Sequence, residues 1–311
     1  MILAVSITLN QLSTFLAVAR AGSVKDVAEQ RFVTQPSVSA ALAALSKELG
    51  VGLTERVGRT IRLTAAGEAF APYASDVLGL LEQGRRASRE AVDEAAREVR
   101  IAAVTTAGEY LIPPLMRRFS ALHPETALTL EVGNRERVFQ RVLDRDADVA
   151  IGGSPPEDGR LTGRPFLRNE IVLIVPPGDD LARRRSVTFA GLDDRTWLLR
   201  EEGSGTRALV EGLLARHEVR PRTLTLGSNG AIKQAVRMGL GVSLQSRAAV
   251  DLELRTSVLA TAPLRGLPIR HWYALTSAIG GSRPSVEEFV EFVASKAAMA
   301  AIAEVTGNRR G

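Results

Sequence analysis

Three short stretches gather hydroxyl, amide and glycine residues where strand patterns give way to helical ones. "AVTTAGEY" offers Thr105 and Thr106, "LLREEGSGTRALVEGLL" offers Gly203, Ser204, Gly205, Thr206 and Arg207, and "TLGSNGAIKQAV" offers Ser228 and Asn229. Glycine permits close backbone approach, hydroxyls donate hydrogen bonds, and the unpaired N–H groups of a helix start favour negative charge. The chemistry implied is the holding of a small anion. Arg207 suits a carboxylate or phosphate, with Glu201 and Glu202 as competing partners. Ser, Thr and Asn at helix starts also serve as plain N-caps, so it is the convergence of three such loops that points to a ligand.

A second constellation lies near the start of the chain, in "TQPSVSAALAALSKELGVGLTERVGRTIRLTAAG". Thr34 suits an N-cap, Pro36 falls in the first turn where its missing N–H costs nothing, and Gly50 closes the helix. Before it, Leu9, Leu12, Phe15, Leu16 and Ala19 repeat at helical spacing up to Gly22, and Ser23 can cap a second helix through "VKDVAEQRF" with Val24, Val27 and Ala28 inward. Two short helices joined by the tight "RFVT" turn form a helix-turn-helix, whose second helix enters the major groove of DNA. Gln35, Pro36, Ser37 and Ser39 stand at its leading end; Gln can read adenine at two points and Ser a base or phosphate. "LTERVGRTIRL" alternates around Gly58 as a hairpin that carries Arg56, Arg59 and Arg62 toward a phosphate backbone. A helix-turn-helix followed by a basic wing is a winged helix, and double-stranded operator DNA is the expected partner.

From "FLAVARAGSVKDVAEQRFVTQPSVSAALAALSKELGVGLTERVGRTIRLTAAGEAF" the chain resembles the DNA-binding domain of LysR-type transcriptional regulators. The matches run in order through "QPSVS", "ELGVGL", "ER" and "RLTAAGE". Two positions depart: Thr54 stands where the family usually has an aromatic residue, and Ala40 where an Arg is common. The resemblance implies a linker helix that pairs two subunits, a homodimer or homotetramer, an effector domain like a periplasmic binding protein, and RNA polymerase as a further partner. The "EEGSGTR" run is similar to the subgroup that controls carbon fixation or sulfur assimilation, which implies a phosphorylated, carboxylated or oxyanion effector.

These sites need elements to hold them, and 311 residues fit two or three units of ordinary size. The expected class is α/β, with an N-terminal winged helix-turn-helix over residues 1–66, a long linker helix over 67–96 and a two-lobed effector domain over 97–311. Phe70, Tyr73, Val77, Leu81, Gly84, Ala87 and Ala91 stripe one helical face as a pairing helix requires, and Pro72 is expected to bend it. Of these, Phe70, Tyr73, Val77 and Leu81 are the expected dimer contacts. Beyond it "VRIAAV", "ALTLEV", "DVAIGG", "EIVLIVP", "TWLLR", "TLTLG", "GVSLQ" and "IRHWYAL" read as strands between helices, which implies parallel sheets. One lobe is expected over about 99–167 and 268–303, the other over 168–267, with "EIVLIVP" and "IRHWYAL" as crossing strands.

Composition agrees with a soluble, cytoplasmic chain. Hydrophobic residues are 45% and charged residues 24%, with no cysteine and a net charge of +5. No apolar run approaches the ~18 residues of a membrane span, and "MILAVSI" lacks a basic leader and cleavage site. His123, His217 and His271 are scattered singly without metal-ligand spacing or a neighbouring nucleophile, and "GSG" around Ser204 is not the G-x-S-x-G elbow. "GLGVSL" lacks the third glycine of a dinucleotide fingerprint. No metal, cofactor or catalytic residue is expected. The rival reading is a binding protein or enzyme of the same two-lobed fold that does not read DNA.

Overall fold

The computed structural model describes residues 6–306, and the chain divides into compact units between Arg89 and Glu90. In the first unit α1 (Leu9–Ala21), α2 (Val24–Gln30) and α3 (Gln35–Leu49) precede a hairpin of β1 (Thr54–Val57) and β2 (Thr60–Leu63). The helix ends follow their capping residues. Thr8 and Gln11 form a reciprocal capping box on α1, Ser23 accepts from the Asp26 amide, and Thr34 accepts from the Ser37 amide. Gly22 and Gly50 take the left-handed conformation that closes α1 and α3.

Phe15, Val18, Val27 and Leu45 are fully buried between the three helices. The wing is tied to them where the Ile61 amide donates to the Gly22 carbonyl at 2.8 Å. Then α4 (Ala65–Glu90) begins on Thr64, whose hydroxyl accepts from the Gly67 amide at 3.1 Å. Gly67 has no alternative: a Cβ there would sit 2.0 Å from the Leu53 carbonyl oxygen. Pro72 lies inside the helical run, and Ala91, expected on the helical stripe, falls beyond its end.

The second unit has two sheets. In the first lobe β3 (Glu98–Val104), α5 (Thr105–Tyr110), α6 (Ile112–Leu122), β4 (Ala127–Gly133), α7 (Arg135–Leu143), β5 (Val149–Gly152) and β6 (Leu161–Asn169) come in sequence. The chain crosses at Glu170 into β7 (Ile171–Val175), α8 (Asp180–Arg183), β8 (Trp197–Leu199), α9 (Gly205–Arg216), β9 (Thr223–Thr225), α10 (Asn229–Arg237), β10 (Ser243–Ser246), α11 (Arg247–Arg255) and β11 (Ala260–Ala262). It returns with β12 (Arg270–Ser277), α12 (Pro284–Val293) and α13 (Lys296–Thr306).

The first sheet has the order β4-β3-β5-β12-β6. The second repeats the plan: β8 and β9 are parallel, a Trp197–Val242 bridge joins them to β10, and β10-β7-β11 completes the sheet. Neither sheet is wholly parallel, contrary to expectation. Strands β3, β4 and β5 run parallel, but β12 and β7, each entering from the other lobe, lie antiparallel to their neighbours. For the same reason neither "EIVLIVP" nor "IRHWYAL" spans both lobes; each begins at the junction and stays in one sheet. Strands β6 and β11 were not anticipated, because Gly163 and Pro165 interrupt the first and the second is only three residues long.

Apolar clusters cover both faces of each sheet, as α/β architecture requires. Phe119 anchors one of them, its ring edge-on to Phe289 and Phe292 at 5.1 and 5.3 Å. At the base of this lobe Arg283, 2% exposed, pairs with Glu90 at 3.1 Å and with Asp148 at 2.8 Å. Arg100 also grips Asp148, at 2.8 Å from both its amide and its guanidinium. Burial pushes the Asp148 pKa up, but the Arg100 hydrogen bonds and the charges of Arg100 and Arg283 outweigh it and hold the carboxyl below its ordinary range. A depressed carboxyl contributes stability that is present above about pH 4 and lost as pH falls through the folded pKa. Asp148→Asn leaves the buried Arg283 with Glu90 as its one carboxylate among the described residues and the partly buried Arg100 underpaired, and urea melts at pH 7 are expected to show a loss of about 3 kcal/mol.

Candidate functional site

The DNA-facing candidates sit at one end of the first unit. Gln35, Pro36, Ser37 and Ser39 are all exposed on the first turns of α3, while Val38 between them is buried and fixes the helix rotation. The Ser37 hydroxyl lies 2.8 Å from that of Thr34, so Ser37 doubles as part of the cap. Arg56, Arg59 and Arg62 are exposed on the hairpin, with Arg59 in its two-residue loop beside Gly58. Cross-strand register sets Arg56 opposite Ile61 and Arg62 opposite Glu55. Side chains alternate faces along a strand, so Arg56 and Arg62 project to opposite sides of the ribbon rather than to one surface. Phe70 turns into the winged core, its ring 5.7 Å from Phe15, whereas Tyr73, Val77 and Leu81 stay exposed on α4.

In the second unit a cleft between the lobes is lined by Val104, Thr105, Thr106, Gly133, Asn134, Arg135, Gly153, Asn169, Arg200, Glu201, Ser204, Gly205, Thr206, Arg270 and Trp272. The cleft is partly open to solvent. Two of the three expected loops meet here, those of Thr105–Thr106 and Ser204–Thr206. Ser204 also caps α9, accepting from the Thr206 amide at 3.3 Å.

The third loop stands behind the cleft wall. Ser228 caps α10 by accepting from the Ala231 amide, and Asn229 is buried. Its amide nitrogen donates to the Thr106 hydroxyl at 3.2 Å, and its oxygen accepts from Arg200. Arg200, 4% exposed, also donates to Thr105 at 3.3 Å and grips Glu201 in two-point fashion at 2.7 and 2.8 Å. This network joins the lobes through side chains. Arg207 takes no part in the lining; it pairs with Glu211 one turn along α9 at 2.8 Å. Gly203 is likewise off the lining, at φ +77° with the Asn134 amide so near that a Cβ would lie 2.7 Å from it.

The charges that dominate the cleft are two that the sequence reading passed over. Arg135 opens α7 from the cap Asn134, lies over the Phe139 ring at 4.3 Å, and donates to the Ser154 carbonyl at 2.8 Å. Arg270 opens β12. A Cβ on Gly153 would stand 3.2 Å from a terminal nitrogen of each, so the two guanidiniums converge on one point. Among the described residues neither has a carboxylate partner. Burial lowers the pKa of both, and the charge of Arg270 lowers that of Arg135 further. The one carboxylate in the lining, Glu201, is already held by Arg200. Such an arrangement is built to receive an anion. Neither arginine belongs to a Ser/Gly/Thr loop, which is the signal followed in the sequence; a helix-start Arg after an Asn cap was the available clue.

His123 and His217 are not in the cleft lining. His123 stacks on Phe119 at 4.4 Å and His217 on Phe189 at 4.3 Å. His123, Glu125 and Glu288 do cluster in space, but Arg97 already occupies both carboxylates, at 3.2 and 2.7 Å.

A winged helix-turn-helix joined to a two-lobed domain with a cationic cleft defines a ligand-responsive DNA-binding regulator. Residues 9–68 match the bacterial regulatory helix-turn-helix proteins of the lysR family, and residues 93–298 match the LysR substrate binding domain. The chain belongs to the LysR family of transcriptional regulators. It is 34% identical over 270 residues to the HTH-type transcriptional activator CmpR of Synechocystis, spanning 86% of this chain and 88% of that one. With a RuBisCO operon transcriptional regulator of Allochromatium vinosum it shares 35% over 294 residues, 94% and 97% of the two chains. Among solved structures, the Synechocystis CcmR regulatory domain in complex with 2-PG is 33% identical with a TM-score of 0.60, over 69% of this chain and 99% of that one. No helix among the described residues is long and apolar enough to cross a membrane.

Proposed function

We propose that the chain is a cytoplasmic, homodimeric regulator, able to pair further into a tetramer, that binds operator DNA. In this reading a small anion with two acidic groups, occupying the cleft, alters its grip on that DNA or the bend it imposes. It acts by binding and not by turnover, with RNA polymerase as the partner that reads the outcome. The observation that carries the ligand class is the convergence of Arg135 and Arg270 on Gly153 without a carboxylate partner. Like charges held together in a half-buried cleft raise the free energy of the empty protein, and a bound dianion relieves it. The 2-PG complex of the Synechocystis relative supports a phosphorylated carboxylate of that kind, and the relatives named for the RuBisCO operon support a carbon-fixation operon as target.

The cleft is lined by side chains from both lobes, so a ligand bound in it acts on how the lobes are arranged. A dianion seated there would lie beside the Arg200–Glu201 pair and its ties to Thr105 and Asn229, which link the two lobes. A ligand that favours one lobe arrangement shifts the population toward it.

The test is a gel shift on DNA upstream of the chain's own gene at two salt concentrations, with and without 2-PG and with unrelated competitor. Specific retention that weakens with salt and changes mobility with 2-PG is the expected result. Retention that 2-PG leaves untouched removes the ligand reading, and no specific retention on any selected genomic fragment favours a binding protein of the same fold. In the same assay Arg56→Ala and Arg59→Ala are each expected to weaken binding on all sequences and to flatten the log–log salt slope by roughly one unit.

A further inference from the structure

Phe32 stands in the turn between α2 and α3 with its side chain 97% exposed. Its backbone is left-handed at φ +56°, a region that disfavours bulky side chains. The hydrogen bonds explain the conformation. The Phe32 amide donates to the Glu29 carbonyl at 3.2 Å and the Val33 amide to the Ala28 carbonyl at 3.0 Å, the paired bonds that close a helix with a left-handed residue, ordinarily glycine. In that motif the apolar contact is made by the following residue, here Val33, against the last helical turn, so the motif gives the Phe32 ring nothing to pack on. The ring makes no aromatic contact among the described residues, and Phe32 is absent from the winged-helix core.

A phenylalanine therefore occupies a position where glycine would be less strained, and exposes almost all of its surface, with no return inside the unit. Its location supplies the reason. Thr34, two residues on, caps the helix whose first residues Gln35, Pro36, Ser37 and Ser39 form the exposed leading end. Two residues of chain reach about 7 Å, so the ring rides at the lip of the surface that enters the major groove. The apolar feature that groove displays is the thymine 5-methyl group, and an aromatic side chain is one of the groups that contact it.

Building on the DNA-binding assignment, we propose that Phe32 is a specificity residue that packs on a thymine methyl at the edge of each operator half-site. The turn is strained in the free protein because the ring is placed for DNA.

The experiment uses the full-length chain and an operator recovered by selection from genomic DNA. Each thymine of a half-site is replaced in turn by deoxyuridine, which removes only the methyl group, and affinities are measured for the parent chain and for Phe32→Gly, which suits the left-handed turn. The parent is expected to lose about fivefold or more at one or two thymines. Phe32→Gly is expected to lose a similar factor on the unmodified operator, to lose less on random DNA, and to be indifferent to the same deoxyuridine substitutions. The proposal is overturned if no thymine methyl matters to the parent, a result that needs no variant to fold. It is also overturned if Phe32→Gly binds operator as tightly as the parent, loses equally on random DNA, or keeps the parent's full methyl sensitivity. Loss of the parent's specific operator binding would instead strike the regulator assignment itself.

Discussion

Arg270→Met is expected to lower the affinity of the chain for 2-PG by on the order of 100-fold in isothermal titration, and Arg135→Met by a similar factor. Each substitution removes one of two guanidiniums that meet at Gly153, and a half-buried anion left with a single cation forfeits most of its compensation. Because both would grip one ligand, the double variant should lose less than the product of the single losses. Arg270→Met, which removes no hydrogen bond or ion pair among the described residues, is also expected to raise the melting temperature of the unliganded protein. Burial depresses both guanidinium pKa values, with Arg270 acting further on Arg135, so folding works against the charged form that prevails at every ordinary pH. Ligand affinity falling while apo stability rises is the signature of a site held ready at the expense of the fold. A fall in both would mean that the arginines brace the lobes, and an unchanged affinity would place the ligand elsewhere.

That pair also shows where the sequence stops being informative. Caps, turns and the wing could be read because their causes are local: Ser23, Thr34, Gly22, Gly50 and Gly58 act within a few residues of themselves, and each stands where its pattern places it. The strands that matched their expected positions were continuous apolar or alternating runs, whereas β6 hid behind Gly163 and Pro165. Antiparallel entry of β7 and β12 was not legible, since strand direction depends on the chain crossing between lobes twice. Residues Arg135 and Arg270 lie 135 positions apart and meet only because α7 and β12 end at the same cleft. Conversely, Arg207 sat beside the right glycines but on the wrong side of α9, where Glu211 claims it. A loop's composition announces a binding edge; which charged side chain fills it is decided by tertiary geometry.

Val77→Glu combined with Leu81→Glu is expected to convert the chain to monomers in sedimentation at micromolar concentration and to cut operator affinity by about 100-fold or more. The argument starts from α4. Its Ala74 face is buried in the winged core along with part of Phe70, and that packing fixes the rotation of the helix. Tyr73, Val77 and Leu81, spaced four apart, are then left 69%, 47% and 53% exposed in one row. An apolar row with charged flanks such as Glu82, Arg85 and Arg86 is unfavourable on an isolated helix and favourable against its own copy. Pairing through it would tether two winged helices, so that binding at the first half-site raises the local concentration at the second. Glutamate at two successive positions sets like charges against each other in the dimer and lies on solvent in the monomer. The winged core and the anion cleft are untouched by the change, so 2-PG binding should persist in the double variant. A dimer that survived would assign the pairing to another surface, and a monomer that kept full operator affinity would show that the half-sites are read independently.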